Sequence, residues 1–143
     1  MTLLSADDLF ISLHETLADI SASEWDALNI DDYPFASYAF LHALEISGCV
    51  GGDSGWQPVF ICIREGKDGP LKAAMPAYVK YHSYGEYVFD HSWAHAFERA
   101  GGNYYPKLLG AIPFTPVPGP RLLRRPEDSA LDTMLIAAFQ QIT

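Results

Sequence analysis

Apolar positions along the chain change their period several times, and each change marks an element. Phe10, Leu13 and Leu17, with Ile11 between them, read as a first strand over Phe10 to Leu17. Ser21 or Ser23 then opens a helix at Glu24, since a serine oxygen accepts from the free amide groups of a first turn. Trp25 and Leu28 form the buried side of that helix, and Asp31, Asp32 and Pro34 end it. Phe35, Tyr38, Phe40, Leu41, Leu44 and Ile46 recur at spacings of three and four, which predicts a second, amphipathic helix closed by Gly48. A glycine-rich loop, Gly51 to Gly55, leads into Trp56 to Arg64, where alternation and the residues Val59, Phe60, Ile61 and Ile63 suit a strand. Glu65 to Gly69 is a turn, and Leu71 to Tyr81 returns as the second arm of a β-hairpin. Pro76 within that arm predicts an edge or a bulge, because proline gives no donor to a ladder.

Beyond the hairpin, Tyr84 to Phe89 predicts a short strand and Ser92 to Ala100 a helix stopped by Gly101 and Gly102. Leu108 to Phe114 is the next apolar run. Prolines 113, 116, 118 and 120 follow, and Asp128 or Ser129 caps a last helix with Leu131, Met134, Leu135, Ala138 and Phe139 on one side. That helix has no glycine stop and no basic final turn, so it reads as cut, and the chain as a fragment. The order of elements predicts an α/β or α+β layer whose remaining strands are absent.

Length and composition narrow the partners. The 143 residues suit one domain, and an apolar share of 49% is that of a globular chain. No run approaches the roughly 18 to 20 apolar residues that span a bilayer. The first residues carry no basic region of the kind that opens a signal peptide. Cys49 and Cys62 form no metal or redox spacing and are expected to be reduced, so a cytoplasmic location is the expectation. A net charge of −9 argues against broad nucleic-acid binding; Arg121, Arg124 and Arg125 are the one local basic cluster.

Three phrases carry a family resemblance. They are Gly55-Trp56-Gln57-Pro58; His82 through Asp90 (HSYGEYVFD); and Tyr104-Tyr105-Pro106-Lys107-Leu108, continuing from Ile112 to Leu123 as IPFTPVPGPRLL. Tyr33-Pro34-Phe35 and Phe40 to Glu45 agree with them. Together these stretches resemble the FemAB-like predicted N-acyltransferases, proteins of peptidoglycan biosynthesis or recognition placed in the GNAT superfamily. The resemblance implies a GNAT-like acyl-CoA N-acyltransferase fold, a mixed central sheet flanked by helices, often as two related lobes. Residues 1–143 would then be a single lobe, the N-terminal part of a longer two-lobe chain. It further implies transfer of an acyl or aminoacyl group from an activated donor to an amine. No permanently bound cofactor is expected, and acyl-CoA and aminoacyl-tRNA are the alternative donors. A small-molecule or peptide amine is the expected acceptor, and an unfinished sheet edge implies self-association.

Amine acylation needs a proton acceptor and donors aimed at a developing oxyanion. Glu86 and Asp90 are the carboxylates nearest the family phrase; on a strand they share a face with Val88, where they could grip an amine. Asp90 has a second reading, as the N-cap of the following helix. Tyr84, Tyr87, Trp93, Tyr104 and Tyr105 form an aromatic group that reads as a core, a lobe interface or a substrate wall. Lys107 suits a phosphate or carboxylate. Thr115 and Arg121 lie in the proline-rich segment, which reads either as a substrate contact or as a rigid loop. That segment departs from the usual coenzyme A loop, since Gly119-Pro120-Arg121 lacks its spaced glycines. His91 and His95 share a helical face at metal-ligand spacing, yet the glutamate of a zincin motif is missing and no third ligand follows, so no metal is expected. A transferase, a non-catalytic lobe that binds a peptide or amino compound, and a metal-dependent hydrolase built on the two histidines are the readings the residues leave open.

Overall fold

A computed structural model describes residues 6–84 and 89–142. Strand β1 (Leu9–His14) is followed by helix α1 (Ala22–Leu28) and helix α2 (Tyr38–Ile46). Ser21 caps α1 by accepting from the Glu24 amide, and Ser37 caps α2 by accepting from Phe40. Pro34 to Ala36 forms a separate 3-10 turn, so the predicted second helix starts later than its apolar pattern. Gly48 closes α2 at φ +78°, a left-handed conformation that glycine enters without a side-chain clash.

The hairpin is present but bent. Its arms are β2 (Trp56–Pro58) with β3 (Phe60–Glu65), and β4 (Leu71–Met75) with β5 (Tyr78–Lys80). Pro58 and Pro76 interrupt the two arms on either side of the Val59–Ala77 pair, where the Val59 amide bonds the Ala77 carbonyl at 2.8 Å. Both arms leave one sheet there and enter another. Pro76 therefore marks a crossing between sheets, and the only irregularity in the β3–β4 pairing lies at Ile63/Arg64. After α3 (His91–Arg99) come β6 (Lys107–Leu109), β7 (Leu123–Arg124) and α4 (Leu131–Ile142).

The described strands form a four-stranded sheet in the order β1-β3-β4-β7 and a three-stranded sheet in the order β2-β5-β6, antiparallel throughout. The α+β class expected from the element order is what the chain adopts. The single mixed sheet is instead divided in two, because the prolines remove ladder donors in both hairpin arms. Of the strand expected from Tyr84 to Phe89, Gly85 to Val88 lie outside the described residues.

Alternation along β3 sorts the core. Phe60 and Cys62 meet Trp25, Leu28, Leu17 and Tyr78 on one face. Ile61 and Ile63 meet Leu131, Leu135 and Ala138 of α4 on the other. Arg124 of β7 grips Asp132 in the first turn of α4 through two hydrogen bonds of 2.9 Å, fixing that helix to the sheet edge.

Candidate functional site

Polar chemistry gathers on the smaller sheet. In its ladder Trp56, Lys80 and Lys107 stand opposite one another in one row, so the three side chains leave the same face. Lys80 is 0% exposed, and its ammonium lies 4.2 Å from the centre of the Trp56 ring. A lysine is almost never fully buried without compensation, and the indole face supplies part of it.

Lys107 reaches Asp90. Its ammonium donates to Asp90 Oδ2, which also accepts from the Tyr104 hydroxyl at 2.7 Å. The Lys107 ammonium also lies 4.6 Å from the centre of the Tyr104 ring and 5.3 Å from that of Tyr105. The Tyr105 hydroxyl in turn hydrogen-bonds Ser83. Asp90 Oδ1 is buried and has no hydrogen-bond partner among the described residues.

Burial, the largest single influence, pushes the Asp90 carboxyl up. Hydrogen bonds from Lys107 and Tyr104, the nearby Ser83 hydroxyl and the Lys107 charge outweigh it and hold the group well below the usual carboxylate range. Tyr104 moves the other way: burial and its bond to Asp90 raise it, so it stays a hydrogen-bond donor. A carboxylate held this low is a weak proton acceptor. It serves better to fix a positive charge.

The segment after β5 is fastened over this row. The Tyr81 amide bonds the Gly55 carbonyl at 3.1 Å, and Trp56 Nε1 donates to the Tyr84 carbonyl at 3.2 Å. His82 Nδ1 accepts from the Tyr84 amide at 3.1 Å, which leaves its Nε2 to donate to the Ser54 carbonyl at 3.0 Å. A β-carbon at Gly55 would lie 2.0 Å from the His82 ring, and Gly55 has φ +79°. Glycine is required there on both counts.

Of the residues picked out by the sequence, Asp90, Tyr104, Tyr105 and Lys107 come together. Asp90 does occupy the N-cap position of α3, but its side chain makes no capping bond and is spent on Lys107 and Tyr104. Glu86 and Tyr87 lie outside the described residues. Tyr84 is 72% exposed, with its ring against His82 and His91, and Trp93 is 74% exposed on α3. Thr115 is half-buried in the proline-rich loop. Arg121 turns its guanidinium onto that loop, donating to the carbonyls of Gly119 at 3.0 Å and Val117 at 2.8 Å, while the Tyr33 hydroxyl bonds the Pro118 carbonyl. This is the geometry of the rigid-loop reading. The His91 ring stacks on Phe89, and no cluster of three metal-ligating side chains occurs among the described residues.

Trp56, His82 and Ser83 join the site from within the phrases that carry the resemblance, though not as expected site residues, and Lys80 joins it from outside them. The signal of Lys80 is that of a lysine in step with the buried Tyr78 on one strand.

A family model described as FemAB-like, peptidoglycan biosynthesis/recognition, matches residues 16–143. No curated protein and no solved structure matches. Among the described residues no helix is long and apolar enough to cross a membrane.

Proposed function

The chain belongs to the FemAB-like family of peptidoglycan biosynthesis and recognition proteins, and on that premise we propose that it takes part in N-acyl transfer, moving an acyl or aminoacyl group onto the amine of a peptidoglycan-type acceptor. The observation that carries this reading is the Ser83–Tyr105 and Asp90–Tyr104–Lys107 constellation beside the buried Lys80–Trp56 pair. In the reaction the acceptor nitrogen attacks the donor carbonyl carbon and an amide bond forms. The ester or thioester bond breaks, the nitrogen gives up a proton, and the leaving oxygen or sulfur takes one.

Fixed hydroxyl and ammonium donors suit the negative charge that develops on the carbonyl oxygen. Lys107 is such a donor, since an ammonium carries three N–H groups, and Asp90 and Tyr104 set its position. Because the Asp90 carboxyl is held low, the proton acceptor in this proposal is Glu86, the other carboxylate of the family phrase, or an ordered water.

The test offers labelled aminoacyl-tRNA and acyl-CoA donors with a UDP-linked peptide precursor and reads amide product by mass spectrometry. Transfer should fall at least tenfold in Lys107→Met, and Glu86→Ala should abolish it. Precursor binding with no amide from either donor would favour the non-catalytic lobe and remove the transferase reading.

A further inference from the structure

Next to this constellation lies a cleft of about 490 Å³ between α3, the outer face of β5–β6 and the end of α4. Val79, Phe97, Leu108 and Ile142 give it apolar walls. Val79 and Leu108 are opposite one another in the ladder, one residue along from the Lys80–Lys107 row, so they face away from that row. At its rim stand Asn103, Tyr104 and Lys107. Two of those three residues also hold Asp90, so the apolar cleft and the polar constellation share a border.

The dimensions are those of a small-ligand site: a few hundred Å³, mostly apolar, with a few convergent polar groups. Its wall is also built to a shape. Phe97 is 50% exposed, yet its ring is seated where a β-carbon on Gly102 would come within 2.3 Å of it. The Gly102 amide bonds the Phe97 carbonyl at 3.1 Å, and the ring packs edge-on against Tyr104 at 6.1 Å. An aromatic left half in water, beside further apolar side chains and a polar rim, is the arrangement expected of a wall that an apolar group covers.

We propose that this cleft binds the apolar chain of the transferred acyl group, with the donor's carbonyl end at the Asn103–Tyr104–Lys107 rim. The inference rests on the transferase reading and specifies its donor as one carrying an apolar chain of a few carbons. The Asn103 amide on that rim complements a carbonyl or carboxylate, the Lys107 charge being matched by Asp90.

Straight-chain carboxylates from butanoate to octanoate are the probe, titrated into the whole chain by calorimetry. Affinity should rise roughly threefold to fourfold per methylene until the cleft is filled. Val79→Phe, which fills it, should lower octanoate affinity at least tenfold. Gly102→Ala, which displaces the Phe97 ring, should shift the preferred length by one or two carbons. Circular dichroism identifies any variant that fails to fold, and the two substitutions lie on different walls. Affinity independent of chain length, or unchanged in both folded variants, overturns the proposal. Amide formation that is indifferent to the donor's chain and to both variants overturns the cleft while leaving the transferase reading intact. Length-dependent binding without transfer supports the cleft and counts against the transferase reading alone.

Discussion

The two sheets of this molecule solve the problem of burial differently. Around the four-stranded sheet the buried side chains are almost all apolar. Phe60, Cys62 and Trp25 on one face and Ile61, Ile63 and Leu135 on the other are fully covered, and the Trp25 indole donates to the Ala36 carbonyl at 2.9 Å. Around the three-stranded sheet a lysine is buried, a carboxylate is nearly so, and hydroxyls are bonded to one another. An apolar interior needs only shape, whereas a buried ionic one is costly unless each charge is matched. The first arrangement supplies stability. The second spends some of it to hold charges in place, which is where chemistry becomes feasible.

That contrast is broken most directly by cavities in the first half. Phe60→Ala should cost about 3–5 kcal/mol in urea denaturation, by lost transfer energy and an unfilled space. A loss below about 1 kcal/mol would show that the large sheet is not the stabilising half. In the second half, Asp90→Ala removes the carboxylate that pairs with the Lys107 ammonium and should cost about 1–3 kcal/mol, with a larger proportional loss of transfer than of stability. Asp90→Asn should retain the shape and still lose most of the transfer.

The same carboxylate gives a pH test. Its folded pKa lies below the unfolded value of about 3.9, so the unfolded chain takes up the proton first. Its stabilisation is therefore complete above that pH and is lost as the pH falls through the lower, folded pKa. The stability gap between the protein and Asp90→Asn should narrow only below about pH 4. A gap that narrows near neutrality would contradict the pairing with Lys107.

Gly55→Ala should cost about 1–2 kcal/mol through its left-handed backbone and the His82 ring, and should loosen the segment over Lys80 without opening the large sheet. The smallest effect is a reactivity difference. Cys49 is exposed and Cys62 is buried, with burial pushing the Cys62 thiol up to about 12. A thiol reagent at neutral pH should modify Cys49 promptly and Cys62 only on unfolding. Prompt modification of both would mean that the large sheet is the more open half.

Much of the fold was legible because local rules agreed with the tertiary outcome. Ser21 caps α1, Trp25 and Leu28 are buried, the hairpin pairs as its alternation requires, and α4 packs through Leu131, Leu135 and Ala138. Pro76 by itself predicts an edge or a bulge, but its effect needed Pro58 on the other side of the Val59–Ala77 pair in the partner arm. Two residues eighteen positions apart divided the sheet together, and no window along the chain contains that fact.

In the site, the sequence by itself determined the types of group and their neighbourhood: the aromatic run, Asp90 and Lys107, together with the family that those phrases mark. Tertiary structure decided their roles. Asp90 could cap a helix or meet a cation, and the approach of β6 brought Lys107 and Tyr104 to it. Arg121 could reach outward, and the closing of its own loop supplied nearer carbonyls. Lys80 carries the same charge as any surface lysine, and only the register that sets it between Trp56 and Lys107 made it part of the interior. Side-chain chemistry is written in the residue, but its pKa, partners and reach depend on groups far along the chain, and those are fixed only when the two sheets fold together.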